Sequence, residues 1–195
     1  MRERKKAKTR AAIKQHAMRL FEEQGYAETT VDQIAEAAEI SPSTFFRYFP
    51  TKEAVVLIDE YDPMLLSAMR EQPADRPPVA AMRSAIRDVY SRIPAEEWAA
   101  ERERHRLIFS VPELRASMLD ELARTITMLA GIIAEREGVA ADGFGVRVLA
   151  GAIIGAITAT TWDLSLNLGA DFFGMADRTL AALEHGLPFT VGEEK

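Results

Sequence analysis

Apolar residues recur at steps of three and four along almost the whole chain, and alternating runs flanked by tight-turn residues are missing, so the pattern predicts helices and no strands. A first helix is expected from Thr9 to Gln24, with Ile13, Ala17, Leu20 and Phe21 on one face and Gly25 as its terminator. Thr30 can cap a second helix, with Gln33 completing a capping box and Val31, Ile34, Ala35 and Ala38 as its apolar stripe. Glu39 and Ile40 make a turn; Ser41 caps a third helix, and Pro42 stands at its first position, where a missing N–H costs nothing. Phe45 and Phe49, four apart, can be buried together, leaving Pro42, Ser43, Thr44, Phe46, Arg47 and Tyr48 on or near the open face. A fourth helix follows the Thr51 cap, with Asp62-Pro63 kinking or restarting it.

Beyond the proline-rich loop EQPADRPP the pattern continues. Val79, Met82, Ile86, Val89, Tyr90 and Ile93 mark one helix; Pro94 opens another, whose ERERHR centre (101–106) reads as an exposed face. Pro112 opens a long helix carrying Leu114, Met118, Leu122, Ile126, Leu129 and Ile133 and ending before Gly138. The next, roughly 142–168, contains the uncharged run VLAGAIIGAITATTW, too short for the ~20 residues that cross a bilayer. A last helix carries Phe173, Ala176, Leu180, Leu183 and Leu187. The expected fold is all-α, with about nine helices.

Two short helices joined by a tight turn at 30–49 follow the helix-turn-helix plan, although a plain hairpin within a bundle has the same spacing. Charge changes that picture. The net charge of −6 is unevenly spread: through Lys52 there are ten Lys and Arg against seven Asp and Glu, a balance of +3, and the remainder carries −9. The first nineteen residues hold eight basic and one acidic side chain, which points to a polyanion at that end. Residues 1–8 read as a mobile arm, able to reach the minor groove or lie along phosphates, or simply solvated.

Residues 13–56, and most tightly 30–53, resemble the DNA-binding domain of the TetR family of bacterial transcriptional regulators. The strings that carry the resemblance are LFEEQGYAETTVDQIAEAA and SPSTFFRYFPTKEAV. One departure is Phe46, where the family usually has tyrosine; the ring can still meet a thymine methyl, but a hydroxyl bond to phosphate is lost. The resemblance implies a DNA-binding domain at 1–52 and a helical effector-binding and dimerisation domain at 53–195. It implies a homodimer on double-stranded operator DNA. Ser43 and Thr44 would approach base edges and Phe46 a methyl group, with Pro42 on the same face; Thr30, Ser41, Tyr48 and Lys52 would hold phosphates, and Arg47 could serve either role. FSVPELRASM (109–118) is similar to an actinobacterial subgroup of the family, some members of which are associated with acyl-thioester effectors.

In the second lobe Met82, Trp98, His105, Met118 and Trp162 are the candidate lining of a site for a small hydrophobic effector, methionine for adaptable packing and tryptophan as a wall. His105 could be a polar handle there or belong to the solvated charge run. Gly151, Gly155 and Ala159 form a small-residue row, and with Ala176, Leu180 and Leu183 they are the expected dimer face. No cofactor, metal or enzymatic role is expected. The three histidines lie in separate helices, GFGVRV (143–148) lacks the last glycine of a dinucleotide fingerprint, and the chain has no cysteine. The N-terminus lacks a secretory signal, so a cytoplasmic location without membrane attachment is expected. The alternative reading is a helical dimer that binds ligand or partner helices and has lost DNA binding, in keeping with Phe46 and the acidic total.

Overall fold

The computed structural model describes residues 2–59, 61–161 and 172–187. These contain ten helices and no strand: α1 (Arg2–Gln24), α2 (Val31–Ala37), α3 (Pro42–Tyr48), α4 (Lys52–Leu57), α5 (Asp62–Arg70), α6 (Pro78–Tyr90), α7 (Ala95–Ser110), α8 (Pro112–Glu137), α9 (Phe144–Thr161) and α10 (Phe172–Glu184). The expected nine become ten because the helix predicted after Thr51 is two. The chain leaves α4 through an extended Ile58, and Pro63 falls in the first turn of α5, where its missing N–H is harmless. The expected arm is not an arm. Residues 2–8 are Arg, Glu, Lys and Ala, good helix formers with no glycine or proline among them, and α1 runs through them. Thr9, expected to start the helix, instead donates its hydroxyl back to the Lys5 carbonyl at 3.0 Å.

The helices form two compact units. The first comprises the described residues of 1–59 with 104–119. There α1 packs on α2 and α4, and α2 on α3. Ile13, Ala17, Phe21, Ile34, Phe45, Phe49, Val55 and Val56 form its core, with Ile108 and Leu114 inserted from α7 and α8. Each phenylalanine removed from water contributes about 2–3 kcal/mol. The expected solvated run at 101–106 is only partly solvated. Arg104 is buried, because positions 104 and 108 share the face that also buries Ile108; Glu101, assigned to the second unit, is buried as well. Arg104 donates to the Val56 carbonyl at 3.0 Å and to Asp59 at 2.8 Å, closing the C-terminal end of α4.

The second unit holds the described residues of 60–103 and 120–195. Its core joins Met69, Met82, Ile86, Leu129, Ile132, Ile133, Ile153 and Leu180, with α6 packed on α5 and α10, and α10 on α9. Arg136, in the last turn of α8, donates to four carbonyls: Met69, Gln72, Pro73 and Arg76, at 2.7–3.0 Å. Met69 and Pro73 also accept the Gln72 and Arg76 amides, at 3.3 and 3.1 Å, so Arg136 adds a second donor to those two carbonyls and supplies one to Gln72 and Arg76. Among the described residues no helix is long and apolar enough to cross a membrane.

Candidate nucleic-acid interface

Two aromatic anchors orient α3. Phe45 is fully buried and Phe49 almost so, which turns Pro42, Ser43, Phe46 and Arg47 to solvent, with Thr44 and Tyr48 half-buried. Phe46 keeps 52% of its surface exposed, while an edge-on contact with Phe45, centroids 5.4 Å apart, holds its ring in place. The Ser41 hydroxyl accepts the Thr44 amide at 3.2 Å and lies 2.9 Å from both the Ser43 and Thr44 hydroxyls, so the start of the helix is held by side chains of the expected contact surface. The Arg47 guanidinium lies over the Tyr48 ring, 5.5 Å from its centre.

The frame behind α3 is pinned by residues of both signs. Thr30 forms the expected capping box: its hydroxyl accepts the Gln33 amide, and its own N–H donates to the Gln33 side chain at 2.8 Å. Lys52 faces inward. Its ammonium donates to the carbonyls of Tyr26 (2.9 Å) and Thr29 (3.0 Å) and sits 4.1 Å from the centre of the Tyr26 ring. Tyr26 in turn donates its hydroxyl to Glu53 at 2.9 Å. Burial, then the hydrogen bond to Glu53 and its charge, push the Tyr26 phenol far above its ordinary range. Burial alone would raise the Glu53 carboxyl, but bonds from its own amide, Tyr26 and Thr51, with the Lys52 charge, outweigh it and hold the group ionised below the usual carboxylate range. Arg10 was not singled out by sequence reasoning. Its guanidinium donates to the Tyr48 carbonyl at 3.2 Å and covers the Phe49 ring at 4.4 Å, tying α1 to the end of α3. An i, i+4 series of cations in α1 was visible in the sequence, but not the carbonyl at which one of them aims.

Residues 13–57 match the profile described as bacterial regulatory proteins, tetR family, and residues 76–188 match the MftR C-terminal domain of TetR-type proteins. The chain belongs to the TetR family. Within it, the chain is 41% identical over 149 residues to the HTH-type transcriptional regulator TcmR of Streptomyces glaucescens, covering 73% of this chain and 66% of TcmR. It is 36% identical over 141 residues to the regulator EthR of Mycolicibacterium smegmatis, covering 68% and 63%. The chain thus spans just under two thirds of the length of these relatives. Among solved TetR-family structures, it resembles Thermus thermophilus FadR, a repressor captured with lauroyl-CoA, at 27% identity and a TM-score of 0.54, over 95% of this chain and 98% of that one.

The residues of this TetR-family chain predicted to line an effector site are divided between the two units, with Trp162 outside the described residues. Met82 lies in the core of the second unit, 4% exposed. His105 and Met118 belong to the first unit, where Met118 packs on the core and the His105 Nε2 lies 3.3 Å from Arg104. Trp98 alone is part of an aromatic group, and its partners were missed as a set. Its ring stacks on Tyr90 (centroids 4.9 Å, 19° between planes) and meets Phe173 edge-on at 4.9 Å; Tyr61 approaches Tyr90 at 6.3 Å and donates its hydroxyl to Glu97 at 2.9 Å. Phe173 and Tyr90 had been read only as stripe positions, since periodicity marks a face and not what meets on it.

The expected dimer face divides in two. Gly155 and Ala159 are exposed and Gly151 half-exposed, with open space where a Cβ would stand on either glycine. Val148 (52% exposed) and Phe144 (84% exposed) extend that row toward the start of α9. Ala176 and Leu180 do not belong to it: they are 2% and 0% exposed within a single chain, because the stripe on α10 is covered by α6 and α9. Leu183 is half-buried against the same core.

Proposed function

We propose that this TetR-family chain is a homodimeric repressor that binds operator DNA through α3 and is released by a small apolar effector held in its second unit. The observation that carries the reading is the split face of α3, with Phe45 and Phe49 locked inside and Pro42, Ser43, Phe46 and Arg47 presented outward. A short rigid helix with small polar groups and one exposed ring suits base edges and a thymine methyl in the major groove. Ser43, Thr44, Phe46 and Arg47 read the half-site, and Tyr48 flanks it. Thr30, Ser41 and Lys52 set the angle of α3 from within, since the hydroxyls cap helices and the Lys52 ammonium is spent on two carbonyls. The exposed Phe144, Val148, Gly155 and Ala159 row pairs two copies, as a self-complementary face on a two-fold axis requires.

For the effector, support comes from FadR, whose structure holds an acyl-CoA, and from the aromatic group around Trp98, which offers ring faces beside one polar handle at Tyr61 and Glu97. Fluorescence anisotropy with duplexes tiled across the DNA flanking the coding region tests the function. The expected result is tight binding to one tile as a dimer, with Ser43→Ala changing which tile variants are preferred. Equal affinity for every tile at physiological salt overturns it.

A further inference from the structure

We infer that Arg10 of α1 is a positioning residue for base reading: without touching the duplex, it sets the preference of Phe46 through a file of packed rings. The inference rests on the operator-binding reading above. The first observation is how α3 ends. At seven residues α3 is too short to hold its shape by its own hydrogen bonds. Its first turn is held locally, by the Ser41 cap. At the other end the chain turns extended at Phe49 (φ −135°, ψ 117°), and the Phe49 amide closes the last turn on the Phe45 carbonyl at 2.9 Å. Pro50 comes next and has no N–H to give. The Tyr48 carbonyl is one of those a helix end leaves without an intrahelical donor, and Arg10, 38 positions back, donates to it at 3.2 Å. The cation thereby stands at the negative end of the α3 dipole.

The second observation is the path from that cation to the reading face. The guanidinium covers the Phe49 ring, 4.4 Å from its centre. The Phe49 and Phe45 rings lie 6.0 Å apart, and Phe45 meets Phe46 edge-on at 5.4 Å, with 85° between the planes. Phe45 and Phe49 are buried in the core of the first unit, where close packing keeps one ring from shifting without its neighbours. Phe46 stands at the open end of the file. The carbonyl bond and the ring contact together fix the end of the α3 axis and, ring against ring, the place of Phe46. Arg10 itself is half-buried, its guanidinium turned to the Tyr48 carbonyl and the Phe49 ring.

The test is a double-mutant cycle on the full-length chain: Arg10→Met, Phe46→Ala and the pair. Each is titrated by fluorescence anisotropy against the best-bound flanking duplex and its single-base variants, from about 50 to 200 mM salt. Methionine keeps apolar cover on the Phe49 ring and removes the donor and the charge. Arg10→Met is expected to reduce discrimination about tenfold at the base pair where Phe46→Ala also reduces it. The pair should lose no more than Phe46→Ala alone, the slope of log affinity against log salt should not change, and Arg10→Lys should recover most of the discrimination. Without DNA, hydrogen exchange at the Phe49 amide should quicken about tenfold in Arg10→Met, while the Ala38 amide, which closes α2 on the Ile34 carbonyl, exchanges as before. Undiminished discrimination in Arg10→Met overturns the inference. So does a fully additive loss in the pair, which would mean that Arg10 acts apart from Phe46. A slope flattened by about 0.9 with discrimination intact overturns it too, since Arg10 would then hold a phosphate. If the unsubstituted chain binds every duplex alike, the operator reading fails and the role in reading with it.

Discussion

The structure gives Lys52 a role beside the phosphate contact that the family resemblance implies, and replacing it by methionine separates the two. A lysine that holds phosphate contributes to DNA affinity and little to folding. A lysine that holds the Tyr26–Thr29 turn does the opposite. Its ammonium makes two charge-assisted hydrogen bonds, 2.9 and 3.0 Å long, and faces the Tyr26 ring at 4.1 Å. Because the side chain is half-exposed, water can replace part of each bond, so each counts at about 1 kcal/mol, below the usual charged value of about 1.5–3. The ring adds about 0.5–1 kcal/mol. Lys52→Met is therefore expected to cost about 2–3 kcal/mol, a fall in Tm of about 4–12 °C for a chain of this length. Thermal melts followed by circular dichroism read the first quantity, and anisotropy titrations at several salt concentrations read the second. At a temperature where both proteins are folded, the salt slope should be unchanged. A slope flattened by about 0.9 together with an unaltered Tm would refute the reasoning, since the ammonium would then leave its carbonyls for a phosphate.

Three further outcomes follow from the packing. Arg136→Met removes a charged donor from four carbonyls, of which Met69 and Pro73 keep a main-chain donor, and should destabilise the chain by about 2–3 kcal/mol in urea unfolding. Glu39 holds φ 54° in the turn before α3, so Glu39→Gly removes left-handed strain of about 1–2 kcal/mol, offset by glycine's larger entropy loss, and should raise stability by up to about 1 kcal/mol in the same assay. Asp177 is held below its ordinary range chiefly by the hydrogen bond from Arg83, which outweighs the opposing effect of burial, with the Arg87 bond and the two positive charges adding to it. Its folded pKa lies below the unfolded one, so its stabilisation is complete above the ordinary carboxylate range and is lost as pH falls through the folded value; Asp177→Asn should reduce stability at pH 7 and converge with the parent in strong acid.

The parts legible in the sequence are those whose cause is local. Thr30 with Gln33, Ser41 with Pro42, and Thr51 all cap the helices they were expected to cap, since a capping bond spans only three residues. Gly25 and Gly138 end α1 and α8 in the left-handed conformation that only glycine enters without strain. Phe45 and Phe49 went inside together because four residues make one helical turn. The failures have one cause as well. Arg10, Lys52, Arg104 and Arg136 each donate to main-chain carbonyls between 23 and 67 positions away, most of them at or just beyond the ends of helices. A carbonyl has no letter, so a sequence shows the cation and never its acceptor. That is why the 101–106 run looked solvated while Arg104 was closing α4.

The same distinction governs the apolar faces. Periodicity marked the stripes of both α9 and α10 as requiring cover, and could not say whether the cover comes from the same chain or another. On α10 it comes from within: Leu180 is wholly buried and Arg83 of α6 reaches Asp177 and Glu184 across the contact, ion pairs that fix the two helices to each other. On α9 one face, with Ile153, is spent on the core, and the opposite one keeps Val148, Gly155 and Ala159 in the open. Covering that second face inside the chain would take another helix crossing the same surface. Under the proposed pairing a second copy would cover it without one, and the open space at the Cβ positions of Gly151 and Gly155 would let the two backbones approach closely.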